Sequence, residues 1–109
     1  MPDAVILRSL EVDLATNSLR LVLVESTEGR SIETLYETAT IDIGTGGRLV
    51  GVELPDGYVD VMPPEPGTEH LIRSSMAEVG VERAGGEAVA LVVPRRGAGY
   101  EITYPSGNQ

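Results

Sequence analysis

The sequence predicts an α+β fold, a mainly antiparallel β-sheet built of hairpins with one short helix over about residues 69–79. Three observations predict it. The first is the stretch TIDIGTGGRLVGVEL, in which two alternating β-branched runs flank Gly44-Thr45-Gly46-Gly47. A period of two sets each apolar series on one face, and the glycines supply the positive φ angles of a tight reversal. The second is the apolar inventory: thirty residues are Val, Leu or Ile, while Phe and Trp are absent, so the core must be aliphatic and suited to sheet. The third is the single helical stripe of Leu71, Ile72, Met76 and Val79, preceded by Thr68 as cap and Glu69 and ended by Gly80.

Taken in order, Val5 to Leu14 opens the chain with an apolar segment that passes into alternation at Leu10, Val12 and Leu14. Ala15-Thr16-Asn17-Ser18 turns it, and Leu19 to Val24 returns as the second arm of a first hairpin. Residues 25–30 read as a polar loop. Ser31 to Tyr36 fits a short strand and a single helical turn equally well. The central hairpin follows, and then Pro55-Asp56-Gly57 signals a turn. The stretch from Met62 to Gly67 is proline-stiffened and marks a change of direction. After the helix, Gly85-Gly86 breaks the chain before the valine-rich strand Ala88 to Val93. Pro94 to Gly99 turns it into a last strand carrying Tyr100, Ile102 and Tyr104. At 109 residues this is the size of one domain, here divided into a double hairpin over 1–54 and a helix with a C-terminal hairpin over 55–109.

The segment from Leu10 to Leu54 resembles the bacterial domain of unknown function 2283 family. Val12-Asp13-Leu14 with Leu19-Arg20-Leu21 carries one end of the resemblance, and Asp42, the glycine turn and Gly47-Arg48-Leu49-Val50-Gly51-Val52-Glu53 carry the other. Arg20 stands where that family usually has an aromatic, and Pro55 to Gln109 has no counterpart in its shorter members. The resemblance implies a small antiparallel sheet and a protein partner, and no catalytic residue.

Composition excludes several chemistries. The chain has eight arginines, no lysine, seventeen carboxylates and a net charge of -9. Without lysine there is no Schiff base and no phosphate-loop lysine; without cysteine there is no thiol nucleophile, disulfide or thiolate metal site. The negative balance sets the chain against nucleic acid and anionic membranes. The N-terminal residues lack the pattern of a secretory signal, and no apolar run is long enough to span a bilayer, so a cytoplasmic location is expected.

The candidate sites are few. Gly44 to Gly47 invites a phosphate cradle, but the strand-like segment after it offers no helix N-terminus to hold an anion, and a plain hairpin turn is expected. Gly51 should mark a bulge or a close packing contact. Asp13, Asp42 and Glu53 lie on polar strand faces and would converge if the two hairpins adjoined; Asp42 and Glu53 flank the glycine turn and are the candidate metal or acid-base pair. The plainer reading is a solvated face with Arg20 and Arg48 as cross-strand partners. Asp56, Asp60 and Glu65 lack the spacing of a calcium loop. His70, beside Ser74 and Ser75, lacks the company of a zinc site or a nucleophile's base. Arg95 and Arg96 form the densest basic spot and are the candidate contact for an acidic partner.

The functional expectation is a non-catalytic protein-interaction module that associates with itself as a homodimer and needs no cofactor, because a small open sheet leaves edges to cover. The alternative is a carboxylate-dependent metal-binding protein or hydrolase using Asp42 and Glu53. Nucleic-acid binding through Arg95 and Arg96 ranks last on charge.

Overall fold

The apolar alternation of the sequence resolves into a sheet whose order differs from a row of consecutive hairpins. The computed structural model describes residues 4–55, 57–61 and 71–103. Its strands are β1 (Ala4–Ile6), β2 (Ser9–Asp13), β3 (Ser18–Val22), β4 (Glu33–Gly44), β5 (Leu49–Leu54), β6 (Gly57–Asp60), β7 (Leu71–Ala84) and β8 (Glu87–Pro94). They pair in the order β1-β6-β5-β4-β7-β8-β3-β2, a curled half-barrel in which every neighbouring pair but β1 and β6 is antiparallel. Two further short strands, β9 (Arg96–Gly97) and β10 (Tyr100–Glu101), make a separate ribbon.

The curl has a covalent cause as well as a twist. β1 and β2 stand at opposite ends of the pairing order, yet only Leu7 and Arg8 separate them in the chain. The Arg8 N–H donates to the Val22 carbonyl at 2.8 Å, extending the β2–β3 ladder toward β1. Register shifts between Asp42 and Ile43, between Ile43 and Gly44, and between Glu82 and Arg83 add the local bends by which bulges tighten a sheet. The concave face holds the core: Leu19, Leu21 and Leu23, Ile41 and Ile43, Val52 and Leu54, Val59, Val79 and Val81, and Leu91 and Val93 are all buried there, and Tyr100 and Ile102 pack against the same cluster.

The α+β expectation is overturned. The segment read as a helix over 69–79 belongs to β7, a strand that pairs with β4 from Leu71 to Arg83 and with β8 from Gly80 to Ala84. Residues 69 and 70 lie outside the described residues. Pairing with the long strand β4 outweighs a local helical pattern, because it engages β7 along nearly its whole length and buries Val79 and Val81 in the core. Gly80, expected to end the helix, sits inside the strand, where Thr34, Tyr36 and Val92 cover it. Gly85 and Gly86, at φ 60° and 89°, then form the two-residue turn into β8.

The two hairpins of residues 10–54 do not adjoin either. β7 and β8 stand between β3 and β4, so strands from both halves of the sequence interleave in one sheet. Among the described residues no helix is long and apolar enough to cross a membrane.

Candidate functional site

The glycine link is a turn braced from both sides. Thr45–Gly47 forms one 3₁₀ turn, and the Gly44 N–H donates to the Arg48 carbonyl at 2.8 Å. Thr103 closes the other side: its N–H donates to the Gly47 carbonyl at 2.9 Å and its hydroxyl to the Gly46 carbonyl at 2.8 Å. Gly47, at φ 79°, has the Thr103 hydroxyl where a Cβ would project. The C-terminal segment thus braces the link through its carbonyls.

Asp42 and Glu53 lie on the convex face, one on each arm of the central hairpin, but in diagonal register: Asp42 opposes Gly51 and Glu53 opposes Thr40. Asp42 accepts from the Ser74 hydroxyl at 2.8 Å and from the Tyr58 hydroxyl at 3.3 Å. The Tyr58 ring lies over Gly51, where any Cβ would overlap the phenol, so the expected close packing at Gly51 has a named partner. Burial of the phenol, reinforced by the charge of Asp42 and its hydrogen bond, pushes the Tyr58 pKa up to about 12. Tyr58 is therefore a neutral donor at physiological pH. Among the described residues no group of three histidines, cysteines or carboxylates is placed to hold a metal ion.

The remaining candidates serve the fold. Asp13 accepts from the N–H groups of Ala15 and Thr16 and so caps the first turn. Arg20 spans three strands, reaching Glu82 at 2.8 Å and Glu11 at 3.3 Å rather than Asp13, Asp42 or Glu53. Arg95 donates to the Asn17 side chain at 2.7 Å, to Glu101 at 3.1 Å and to the Ile102 carbonyl at 3.3 Å, which ties the C-terminal segment to the first turn. Arg96 meets the same carboxylate at 2.9 Å, and the two arginines hold the Glu101 carboxyl below its ordinary range. The two arginines thus share one carboxylate. Ser75 donates to the Gly99 carbonyl at 3.4 Å, while Asp56, Glu65 and His70 lie outside the described residues.

One feature was missed by the sequence reading. β4 is twelve residues long and pairs with β7 along its whole length, but pairs with β5 only from Thr40 onward. On the β5 side, the stretch from Glu33 to Ala39 has no backbone partner among the described residues. It carries exposed apolar surface: Tyr36 is 71% exposed and Leu35 45%, and Ile32 just before it 41%. Residues alternate in the side to which their N–H and C=O groups point. The Gly44 N–H points to the β5 side, and counting back in twos sets Thr40, Thr38, Tyr36 and Thr34 in the same sense. Three residues thus offer both a donor and an acceptor to the open side.

Beside this edge lies a cavity of about 320 Å³ whose walls include Leu23, Leu54, Val59 and Ala88, with Arg83 among its polar lining. Leu54 follows the last β5 residue paired with β4, and Arg83 stands opposite Glu33 while its guanidinium binds Glu37 at 3.1 Å. The cavity and the unpaired edge are therefore neighbours. The signal that could have located the edge is a length mismatch, twelve residues in β4 against six in β5. No protein-family model, curated protein or solved structure matches the chain.

Proposed function

We propose that the protein is a non-catalytic interaction module that takes up an extended polypeptide segment along the open half of β4. One observation carries this reading: seven consecutive strand residues, Glu33 to Ala39, pair with β7 on one side and have no backbone partner among the described residues on the other. An added strand gains hydrogen bonds from Thr34, Tyr36 and Thr38, and its alternate side chains meet the apolar cavity next to Leu54. The exposed Leu35 and Tyr36 supply surface that such a partner would cover. The carboxylate alternative has no comparable support, since Asp42 already accepts two hydroxyl hydrogen bonds.

Native-state amide hydrogen exchange on a dilute, monomeric sample tests the reading. The amides of Thr34, Tyr36 and Thr38 should exchange far faster than those of Thr40 and Asp42 on the same strand. Equal protection of the two sets would mean that the edge is already covered within the monomer, and the reading would fall.

A further inference from the structure

We infer that the segment taken up by this edge belongs to another protein and is basic: an extended stretch with arginine or lysine in the phase that lies on the convex face and apolar side chains in the phase that faces the cavity. The inference rests on the strand-accepting reading above and names the chemistry of its occupant. β5 first limits where that occupant sits. Thr40 pairs with Glu53, so Leu54 lies opposite Ala39, and Leu54 pairs in turn with Gly57 as the chain reverses into β6. The next position, Pro55, has no N–H to give to the Thr38 carbonyl, so the ladder ends there. Thr34 and Tyr36 lie clear of that reversal and centre the seat.

The unpaired backbone makes the seat, and charge selects what fills it. Glu53, opposite Thr40 on β5, and Glu78, opposite Thr38 on β7, are exposed on the convex face, and Glu33 is exposed at the start of the strand. None of the three has an ion pair among the described residues. The arginines near this end are committed elsewhere: Arg30 meets Glu87 at 2.9 Å, and Arg83 meets Glu37 at 3.1 Å. The exposed Tyr36 ring, which leans over Gly80 on the convex face, offers a cation its π surface. A partner residue opposite Thr34 or Tyr36 sets its side chain on that same face, whereas the residues between point with Leu35 toward the cavity that Leu54 and Val59 help to line. Alternating basic and apolar residues therefore answer both faces at once. A neutral or acidic segment leaves the carboxylates unanswered, and a second copy, itself at -9 with no lysine, adds to them.

Capped synthetic peptides and the full-length chain test this. The probes are an alternating arginine-valine peptide, its threonine-valine and glutamate-valine counterparts of equal length, and the arginine-valine peptide with every backbone nitrogen methylated, which keeps the charge and the side chains but has no N–H to donate. In fluorescence anisotropy at low salt the arginine-valine peptide should bind at least about tenfold more tightly than the threonine-valine one, and this preference should shrink as salt is added. The glutamate-valine and methylated peptides should not bind. With the arginine-valine peptide present, the amides of Thr34 and Tyr36 should gain protection from hydrogen exchange. Glu53→Gln combined with Glu78→Gln, both at exposed positions, should erase most of the preference and leave binding of the threonine-valine peptide as it was. Equal binding of the threonine-valine and arginine-valine peptides would overturn the inference and leave the strand-accepting reading standing. Equal binding of the methylated peptide, or binding that leaves Thr34 and Tyr36 unprotected, would mean adsorption by charge alone and would also overturn it. So would the failure of every peptide to bind, while exchange on the dilute monomer still decides separately whether the edge is open.

Discussion

The two halves of β4 share one backbone and one long partner, β7, yet differ in everything that a second neighbour provides. From Thr40 to Gly44 the strand lies between β5 and β7, and Ile41 and Ile43 are buried. From Glu33 to Ala39 it has β7 alone among the described residues, and Leu35, on the same face as Ile41, is nearly half exposed. The alternation of side chains is unbroken between the halves. What differs is how far β5 extends, so the environment of Leu35 is set by the length of another strand.

Substitutions should expose this contrast most strongly in the core. Ile41→Ala removes a fully buried side chain and should cost about 2–5 kcal/mol in urea denaturation. Leu35→Ala, six residues earlier on the same face, should change monomer stability by no more than about 0.5 kcal/mol. Equal effects would show that the open half is packed as tightly as the paired one.

The glycines facing the two halves sharpen the comparison at a smaller scale. Gly51 opposes Asp42 in the paired half and lies under the Tyr58 phenol. Gly51→Ala should therefore cost about 1–3 kcal/mol by displacing that ring. Gly80 opposes Tyr36 in the open half, where an added Cβ would meet its neighbours at 3.5 Å or more, an ordinary contact. Gly80→Ala should be neutral or stabilise by up to about 1 kcal/mol.

The phenol above Gly51 gives the paired half a pH signature. With its pKa pushed up from 10.0 to about 12, Tyr58 keeps its proton in the fold when the unfolded chain would release it. Its contribution to stability is complete below pH 10 and is lost as the pH rises through about 12. Phenolate absorbance should follow this late titration. Asp42→Asn should lower the Tyr58 pKa only in part, because burial is the larger cause.

The smallest effect is expected far from β4, at Glu101. Two arginines lower its pKa, so the stability it lends is present above the usual carboxylate range and fades as the pH falls through its depressed value. In Glu101→Gln this acid dependence should shrink slightly, with unfolding at neutral pH nearly unchanged. A large loss at neutral pH would show that the pair is not a solvent-screened surface contact.

Much of the sheet was legible because its signals are local. Leu19, Leu21 and Leu23 alternate, Asn17 takes a positive φ in the first turn, and the glycine link reverses the central hairpin. β7 was misread because its inward phase, Ser75, Ala77, Val79 and Val81, begins with small and polar residues, so its alternation is faint. Met76, counted in the helical stripe, is 68% exposed on the convex face. The parallel pairing of β1 with β6 and the tethering by Arg95 join residues distant in sequence, and no local pattern announces them. The unpaired edge was hidden for a related reason: it is a difference between two strand lengths, and neither strand shows it alone.

The two-residue link between β1 and β2 carries a consequence for how the protein is made. Ala4 to Ile6 leave the ribosome before their partners, Tyr58 to Asp60, which are synthesised only after the central hairpin. The opening segment must wait for its berth while the rest of the sheet assembles, and its capture is then a late event in folding. A spacer inserted between Leu7 and Arg8 would loosen this clasp without touching a single core side chain on β3 to β8.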